Sequence, residues 1–411
     1  MKLIFITGLY TKEMEAFLLK KFPSYIQNAP NVFQWAIIDG LVSNNIKFEV
    51  LSYPFLPCFP TNKFILTPKE DILYDKKNIG KVMNYSTIPI LKQISISISI
   101  KKYISKLLKE NKTEKIVVLT YSPLSYFVKP IIELKKTHKN LSLVSIVTDL
   151  IDDVHNFKEN STIPKQILNK LEYKAVKEAY NYIDKFILLT EQMTEKIPHS
   201  LNKNIVIEGI ISDKSILHEK SEVDKDKKSI FYAGTLEEFS GVRELINAFK
   251  KINGENLLLI ICGQGALATE IKEAALQDNR IIYLGVQPRE EVLRLQKEST
   301  LLINPRRPDK SITRFSFPSK TMEYLVSGTP MLGYKLEGIP TEYYNYFYTI
   351  NDLDEIALID ILSKVLSLRQ KELNKKAKEA YDFIMKNKLA KIQVKRIIKF
   401  ISENDYENST N

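Results

Sequence analysis

Residues 314–337 read Arg314-Phe-Ser-Phe-Pro-Ser-Lys-Thr-Met-Glu-Tyr-Leu-Val-Ser-Gly-Thr-Pro-Met-Leu-Gly-Tyr-Lys-Leu-Glu337, and the rest of the chain is read from them. A polar loop carrying Ser316, Ser319 and Lys320 runs into a short helix that holds Glu323. Gly328 then stops the helix before an apolar strand at 330–334. A helix start beside a sheet gathers unpaired backbone N–H groups, the positive end of the helix dipole and, here, a lysine. That combination holds phosphate. Glu323 lies three residues after Lys320, so both fall on one helix face, the carboxylate able to accept from paired ribose hydroxyls. The implied ligand is a nucleotide with a diphosphate. The same spacing also serves an ordinary amphipathic helix, with Met322, Leu325 and Val326 in a core and both charges in solvent.

Outward from this stretch, apolar runs at 229–233, 257–262, 281–284 and 301–303 each end in a turn signal: Gly234, Gly263-Gln-Gly265, Gly285 and Asn304-Pro305. Helical spacing fills the gaps at 242–251, 268–275 and 289–296, so the second half is a Rossmann-like α/β sheet. Basic helices follow residue 355, and the tail from Glu403 is polar. Asn351 and Asp352-Leu-Asp354-Glu355 read as a capped, acid-rich helix start rather than a metal pair.

The first half repeats the architecture without repeating the sequence. Strands are expected at 3–7, 48–53, 116–121, 141–147, 185–189 and 205–207, with helices at 32–41, 124–135 and 165–183. Ser122 is the expected N-cap of the helix at 124–135. The alternating 94–100 run suits either a strand or a helix with Leu91, Ile94, Ile98, Ile104 and Leu108 on its buried face; the need for a crossover before the next parallel strand favours the helix. Residues 54–84, with four prolines, read as irregular. The charged, apolar-poor stretch from 212 to 228 reads as a linker.

Composition sets the limits. The chain has 411 residues, 44% hydrophobic and 27% charged, enough for two or three cored domains and unlike a disordered chain. Sixty Lys and Arg against 49 acids leave a net charge of +11, which suits nucleic acid, anionic membranes or polyanionic substrates. Cys58 and Cys262 stand far apart, which argues against a disulfide framework or zinc site and for a reducing cytoplasm. The first apolar run is too short for a signal peptide and reads as a buried strand, and no run reaches the length of a spanning helix.

The run Phe-Pro-Ser-Lys-x-x-Glu-Tyr-Leu-x-x-Gly-x-Pro at 317–330 resembles the donor-binding signature of the retaining group 1 glycosyltransferases, family four-like, of bacterial surface-polysaccharide type. Gly234-Thr235-Leu236 and Gly263-x-Gly265 point the same way. The resemblance implies a GT-B fold: two Rossmann-like doubly wound α/β domains facing a central cleft. Residues 1–212 would be the acceptor-binding domain, 213–228 the linker, 229–390 the nucleotide-sugar-binding domain, and 391–411 a helix and polar tail packing back on the first domain.

The resemblance also assigns sites. Family members carry an arginine and a lysine that clamp the diphosphate where this chain has Thr235 and Ser240; Arg243, Arg314 and Lys320 are the candidate cations in their stead. Gly234, Thr235, Gly263 and Gly265 would bring backbone to the donor, and Val286 would pair with its base through backbone alone. Glu323 matches the second of two family glutamates, the ribose ligand. The first falls at Phe315, so Ser316, Ser319 or loop backbone would hold the sugar. Asp149, at a first-domain strand end, is the candidate for binding or activating the acceptor hydroxyl, with Asp152, Asp153 and His155 nearby; Asp149 could equally cap the following segment.

The expected activity is transfer of a sugar from a nucleotide sugar, UDP-linked by expectation, to a lipid-linked or polysaccharide acceptor with retention, without metal or cofactor. The expected place is cytoplasmic, peripheral on the inner face of an anionic membrane. A nucleotide-sugar epimerase or hydrolase on the same fold is the alternative. A nucleic-acid-binding protein is the lesser one, since the lysines are not interleaved with aromatics and no such motif is present.

Overall fold

This computed structural model describes residues 1–22, 25, 27–151, 163–216, 227–308 and 313–403. Asp152, Asp153, His155, most of the expected linker and the tail beyond Glu403 lie outside them. The chain divides into two compact units, residues 1–210 with 390–411, and residues 211–389.

The first unit opens with β1 (Lys2–Thr7), α1 (Lys12–Lys21), α2 (Asn28–Ser43) and β2 (Phe48–Ser52). It continues through β3 (Glu70–Tyr74), β4 (Lys77–Val82), α3 (Leu91–Glu110), β5 (Ile116–Tyr121), α4 (Ser125–Lys135), β6 (Leu141–Val147), α5 (Ile163–Ala179), β7 (Lys185–Leu188) and β8 (Asn204–Val206). The sheet runs β3-β4-β2-β1-β5-β6-β7-β8 and is parallel except at β3–β4. Strands β5 and β6 are almost wholly buried, which is why β5 reads as a nearly continuous apolar run, while the serines of β6 are small enough to be taken into the interior.

Three expectations are corrected here. The stretch 54–84 is not wholly irregular: it holds the β3–β4 hairpin, whose turn places Asp75 and Lys76 at φ of 47° and 66°. Two consecutive left-handed residues make the tight turn that Asn-Gly usually announces, and Asp-Lys hides it. The α3 run is helical as expected, yet it buries Ile96, Ile100, Ile104, Leu107 and Leu108 and leaves Leu91, Ile94 and Ile98 exposed. Isoleucine at every second position gives a helix two apolar faces, and only packing chooses between them. Ser122 does not cap α4. It sits at φ 72°, the helix begins at Ser125, and Glu172 of α5 accepts from the Ser125 N–H at 2.8 Å and so supplies the cap from a distant helix.

The second unit comprises β9 (Lys228–Thr235), α6 (Val242–Lys250), β10 (Leu257–Gln264), α7 (Ala268–Gln277), β11 (Ile281–Gly285), α8 (Arg289–Glu298), β12 (Leu301–Asn304) and α9 (Ser319–Val326). Then come β13 (Met331–Tyr334), β14 (Tyr348–Ile350), α10 (Glu355–Ser367) and α11 (Gln370–Asn387). Its parallel sheet runs β11-β10-β9-β12-β13-β14. Asp354 caps α10, its side chain accepting from the Ala357 N–H at 2.6 Å. The last helix, α12 (Ala390–Ser402), belongs to the first unit: Val394, Ile397 and Ile401 join the core that holds Ala36, Ile37 and Leu41 of α2.

Candidate functional site

In the second unit β9 is flanked by β10 on one side and β12 on the other, so the chain reverses its direction of winding between β9 and β12. In an open parallel sheet the crevice outside the carboxyl ends of two such strands is where ligands bind. The β9 end is Gly234-Thr235, and the β12 end is Asn304 followed by Pro305-Arg306-Arg307. Helix α9 reaches the same place.

Sequence dictates how α9 is fixed there. Tyr324 is fully buried, and its hydroxyl accepts from the Ala233 N–H at 3.1 Å, one residue before Gly234. One helical turn earlier, Lys320 therefore lies over the strand end. A Cβ on Gly234 would stand 2.1 Å from both Cε and Nζ of Lys320, and Nζ lies 5.5 Å from the centroid of the Tyr232 ring. The ammonium is thus held between glycine backbone and an aromatic face. Desolvation lowers its pKa from the ordinary lysine value; Glu323 raises it and Arg306 lowers it further. An ammonium kept short of water at a strand end suits an arriving anion.

The loop before α9 is anchored by apolar side chains. Phe315 and Phe317 are buried, and Phe317 packs on Tyr343 with centroids 5.5 Å apart. Pro318 stands at the helix N-cap without a side-chain capping bond, and Ser319 heads the helix. The backbone of Ser316 closes on Gly338, where a Cβ would be 2.3 Å from the Ser316 carbonyl oxygen. Gly328 ends the helix at φ 83°.

Glu323 is not left open to solvent. Its Oε1 accepts from Gln296 Nε2 at 2.6 Å, and its Oε2 pairs with Arg289 at 3.2 Å. Both partners come from α8, a helix with no expected role. A carboxylate has about four acceptor positions, so this cradle orients Glu323 and leaves it able to take further hydroxyl donors.

The glycine turns bring β9 and β10 together. Gly263 pairs with Gly234 across the sheet, at φ 136°, and a Cβ there would stand 1.8 Å from the Gly234 carbonyl oxygen. At Gly265 the clash would be with Leu236 O at 2.4 Å. Thr235 sits at the strand end, its carbonyl accepting from the Tyr232 hydroxyl at 2.8 Å. Val286 is exposed after Gly285.

Arg314 pairs with Glu337 at 3.4 Å and lies over the Phe315 ring. Arg243, one of the candidate cations, is gripped by two carboxylates, Glu238 and Glu270, the latter at 2.7 Å. Those hydrogen bonds raise its pKa. Arg243 thus stands paired with carboxylates of its own surface. In the first unit Asp149 follows β6 and accepts from the Thr148 hydroxyl at 3.1 Å.

Sequence reasoning missed Arg306 and Arg307. With Glu238, Phe239, Gly241, Pro308 and Thr313 they line a cavity of about 210 Å³. The available signal was two arginines two residues past the end of the strand that lies beside β9. Arg289 was missed because an arginine at a helix start opposes the dipole and reads as surface.

Residues 213–383 match the family model of glycosyl transferases group 1. No curated protein matches the sequence. Among solved structures, a sucrose-phosphate synthase from Thermosynechococcus elongatus is similar with a TM-score of 0.64 at 11% identity, over 97% of this chain and 98% of that one. The apo lipopolysaccharide outer core galactosyltransferase WaaB gives 0.59 at 16%, over 98% and 99%. HepE of Anabaena, in complex with UDP and glucose, gives 0.62 at 12%, over 98% and 99%. The fold is GT-B, and the family match and fold together indicate a glycosyltransferase.

Proposed function

We propose that this glycosyltransferase takes a UDP-linked sugar and moves it, with retention of anomeric configuration, to a hydroxyl of a lipid-linked or polysaccharide acceptor in surface polysaccharide synthesis. The acceptor polymer would be a capsule, an exopolysaccharide or an O-antigen. The observation that carries the reading is the Lys320 ammonium laid across Gly234 at the point where β9 and β12 part. Support for UDP comes from the HepE structure, and support for a surface glycan from the WaaB structure, both similar in fold.

In this reading the bond between the anomeric carbon and the diphosphate oxygen breaks, the electron pair leaving with the phosphate, while the acceptor oxygen bonds to the carbon and gives up its proton. Negative charge grows on the departing diphosphate. Fixed positive groups that need no reorganisation, Lys320 and the amides at the start of α9, stabilise it. Arg314, the third cation of the sequence reading, would act from the same loop. Glu323, oriented by Gln296 and Arg289, receives the ribose. Ser316 and Ser319 are the proposed sugar contacts, and Asp149 carries the acceptor side of the proposal.

We place the enzyme at the cytoplasmic face of an anionic membrane. No described helix is long and apolar enough to cross one. Helix α3 exposes Leu91, Ile94 and Ile98 on one stripe and carries Lys101, Lys102, Lys106 and Lys109, the pairing of apolar and basic groups that suits an interface.

Calorimetric titration with UDP, GDP and ADP sugars tests the reading. The wild type should bind one of them, and Lys320→Ala should lose about tenfold or more in affinity while remaining folded. Absence of binding to every donor would overturn the proposal. Glu323→Ala should weaken donor binding with turnover at saturation little changed, because a ribose contact acts alike in ground and transition states.

A further inference from the structure

Strands β1, β2 and β4 run parallel, so the segments that follow them, α1, residues 53–69 and residues 83–90, emerge at one end of the first sheet. It is the end where β1 and β5 part, the place of the ligand crevice in an open parallel sheet. There Phe64, Ile65 and Leu66 stand 50%, 55% and 56% exposed, three large apolar residues in a row, and Ile90 and Leu91 are exposed at the start of α3. Phe17 of α1 joins them, its ring centroid 5.8 Å from that of Phe64. The stripe of Ile94 and Ile98 continues the surface along α3.

This surface is built into the fold. Leu66 forms an antiparallel bridge with Ser86, the Thr87 N–H donates to the Ile65 carbonyl at 2.8 Å, and the Phe59 N–H donates to the Thr87 carbonyl at 3.0 Å. The Thr87 hydroxyl donates to the Phe64 carbonyl. Lys92 of α3 donates to the Leu56 carbonyl at 2.8 Å and so ties the helix to the loop. With its backbone groups engaged in this way, the loop offers its side chains. Three successive exposed apolar residues cost solubility and mark a surface that something covers.

We propose that residues 59–66 and the start of α3 insert together into the interface of an anionic bilayer, with Phe64, Ile65 and Leu66 among the acyl chains. The proposal rests on the membrane placement above and names the surface that makes the contact.

Charge identifies the partner. Residues 59–69 and 86–102 contain five lysines and no acidic residue. Lys92 is turned to Leu56 and Lys101 pairs with Glu133, while Lys63, Lys69 and Lys102 are exposed on the same segments. The next acid, Glu70, accepts from the Thr11 hydroxyl at 2.7 Å. Apolar side chains among lysines match acyl chains beneath anionic headgroups. A second copy of the chain on this face would set lysine against lysine, which disfavours a symmetric dimer there.

The probe is Phe64→Trp in the full chain, its fluorescence read as the difference from the wild type, which has Trp35 alone. With vesicles of phosphatidylglycerol and phosphatidylcholine its emission should shift to the blue, and brominated acyl chains should quench it by about half or more. Phe64→Glu with Ile65→Glu should lower vesicle affinity about tenfold or more, as two apolar side chains no longer leave water, with nucleotide affinity unchanged. On pure phosphatidylcholine the wild type should bind about tenfold or more weakly. Vesicle binding without quenching of Phe64→Trp would overturn the assignment and leave the membrane placement standing. No vesicle binding by the wild type would remove both, and equal affinity for neutral vesicles would overturn the anionic partner. A wild-type dimer that the glutamate pair turns into monomers, with no quenching, would make the face an interface between copies and overturn the proposal. Should the glutamate pair fail to fold, the quenching of Phe64→Trp decides.

Discussion

Two glycines at one sheet edge separate structure from function. At Gly234 a methyl group would meet the far end of Lys320, which can swing away; at Gly263 it would meet backbone oxygen, which cannot. Gly234→Ala should therefore fold with near wild-type stability and lose donor affinity, whereas Gly263→Ala should cost about 1–3 kcal/mol or more in urea unfolding. Equal stability losses in the two would show that the Lys320 end is not the movable partner. Lys320 itself predicts a pH effect. Its folded-state pKa is depressed, so between that value and the ordinary lysine value the unfolded chain binds the proton that the folded chain has released. Over that window stability rises with pH, the desolvation penalty being full below the folded pKa and relieved above it. A bound diphosphate restores the charge, so nucleotide binding should take up a proton there. Titrations in buffers of different ionisation enthalpy should show that uptake in the wild type and none in Lys320→Arg, which does not titrate.

At the scale of elements, α3 and α9 make opposite uses of a mixed sequence. Helix α9 buries Met322, Tyr324, Leu325 and Val326, and this burial, tied to β9 through Tyr324, sets where Lys320 and Glu323 stand. Helix α3 buries one isoleucine stripe and leaves the other outside, with Ile94 48% and Ile98 60% exposed. Because neither is in the core, Ile94→Asp with Ile98→Asp should leave stability within about 0.5 kcal/mol per site. The pair should lower binding to vesicles rich in phosphatidylglycerol while leaving UDP affinity unchanged, as read by co-sedimentation and calorimetry. Unchanged sedimentation would detach α3 from the membrane proposal. The residual basic attraction should weaken as salt shortens the Debye length from about 10 Å at 0.1 M.

At the scale of the molecule, the chain ends in the unit where it began. Helix α12 seats Val394 so tightly on α2 that a Cβ at Gly40 would be 2.3 Å from it. Lys185 of β7 donates to the carbonyls of Phe400 and Glu403 at 2.7 and 2.6 Å, tying down the other end. Deleting residues 390–411 should therefore destabilise the first unit, with melting lowered and proteolysis concentrated in residues 1–210, while isolated UDP binding by the second unit persists. Loss of UDP binding together with an intact first unit would contradict that division. The sequence by itself determined the two parallel α/β sheets, the glycine-marked strand ends and the phosphate-seating look of 317–323, because buried strands, tight turns and helix starts are local demands that each residue answers where it stands. Tertiary structure alone decided which isoleucine stripe of α3 is inside, that Glu172 and not Ser122 caps α4, that Arg243 pairs with Glu238 and Glu270, and that Arg306 lies over the Phe239 ring. Those outcomes depend on partners tens of residues away, and a charge or an apolar side chain acquires its meaning only when the fold chooses its neighbour.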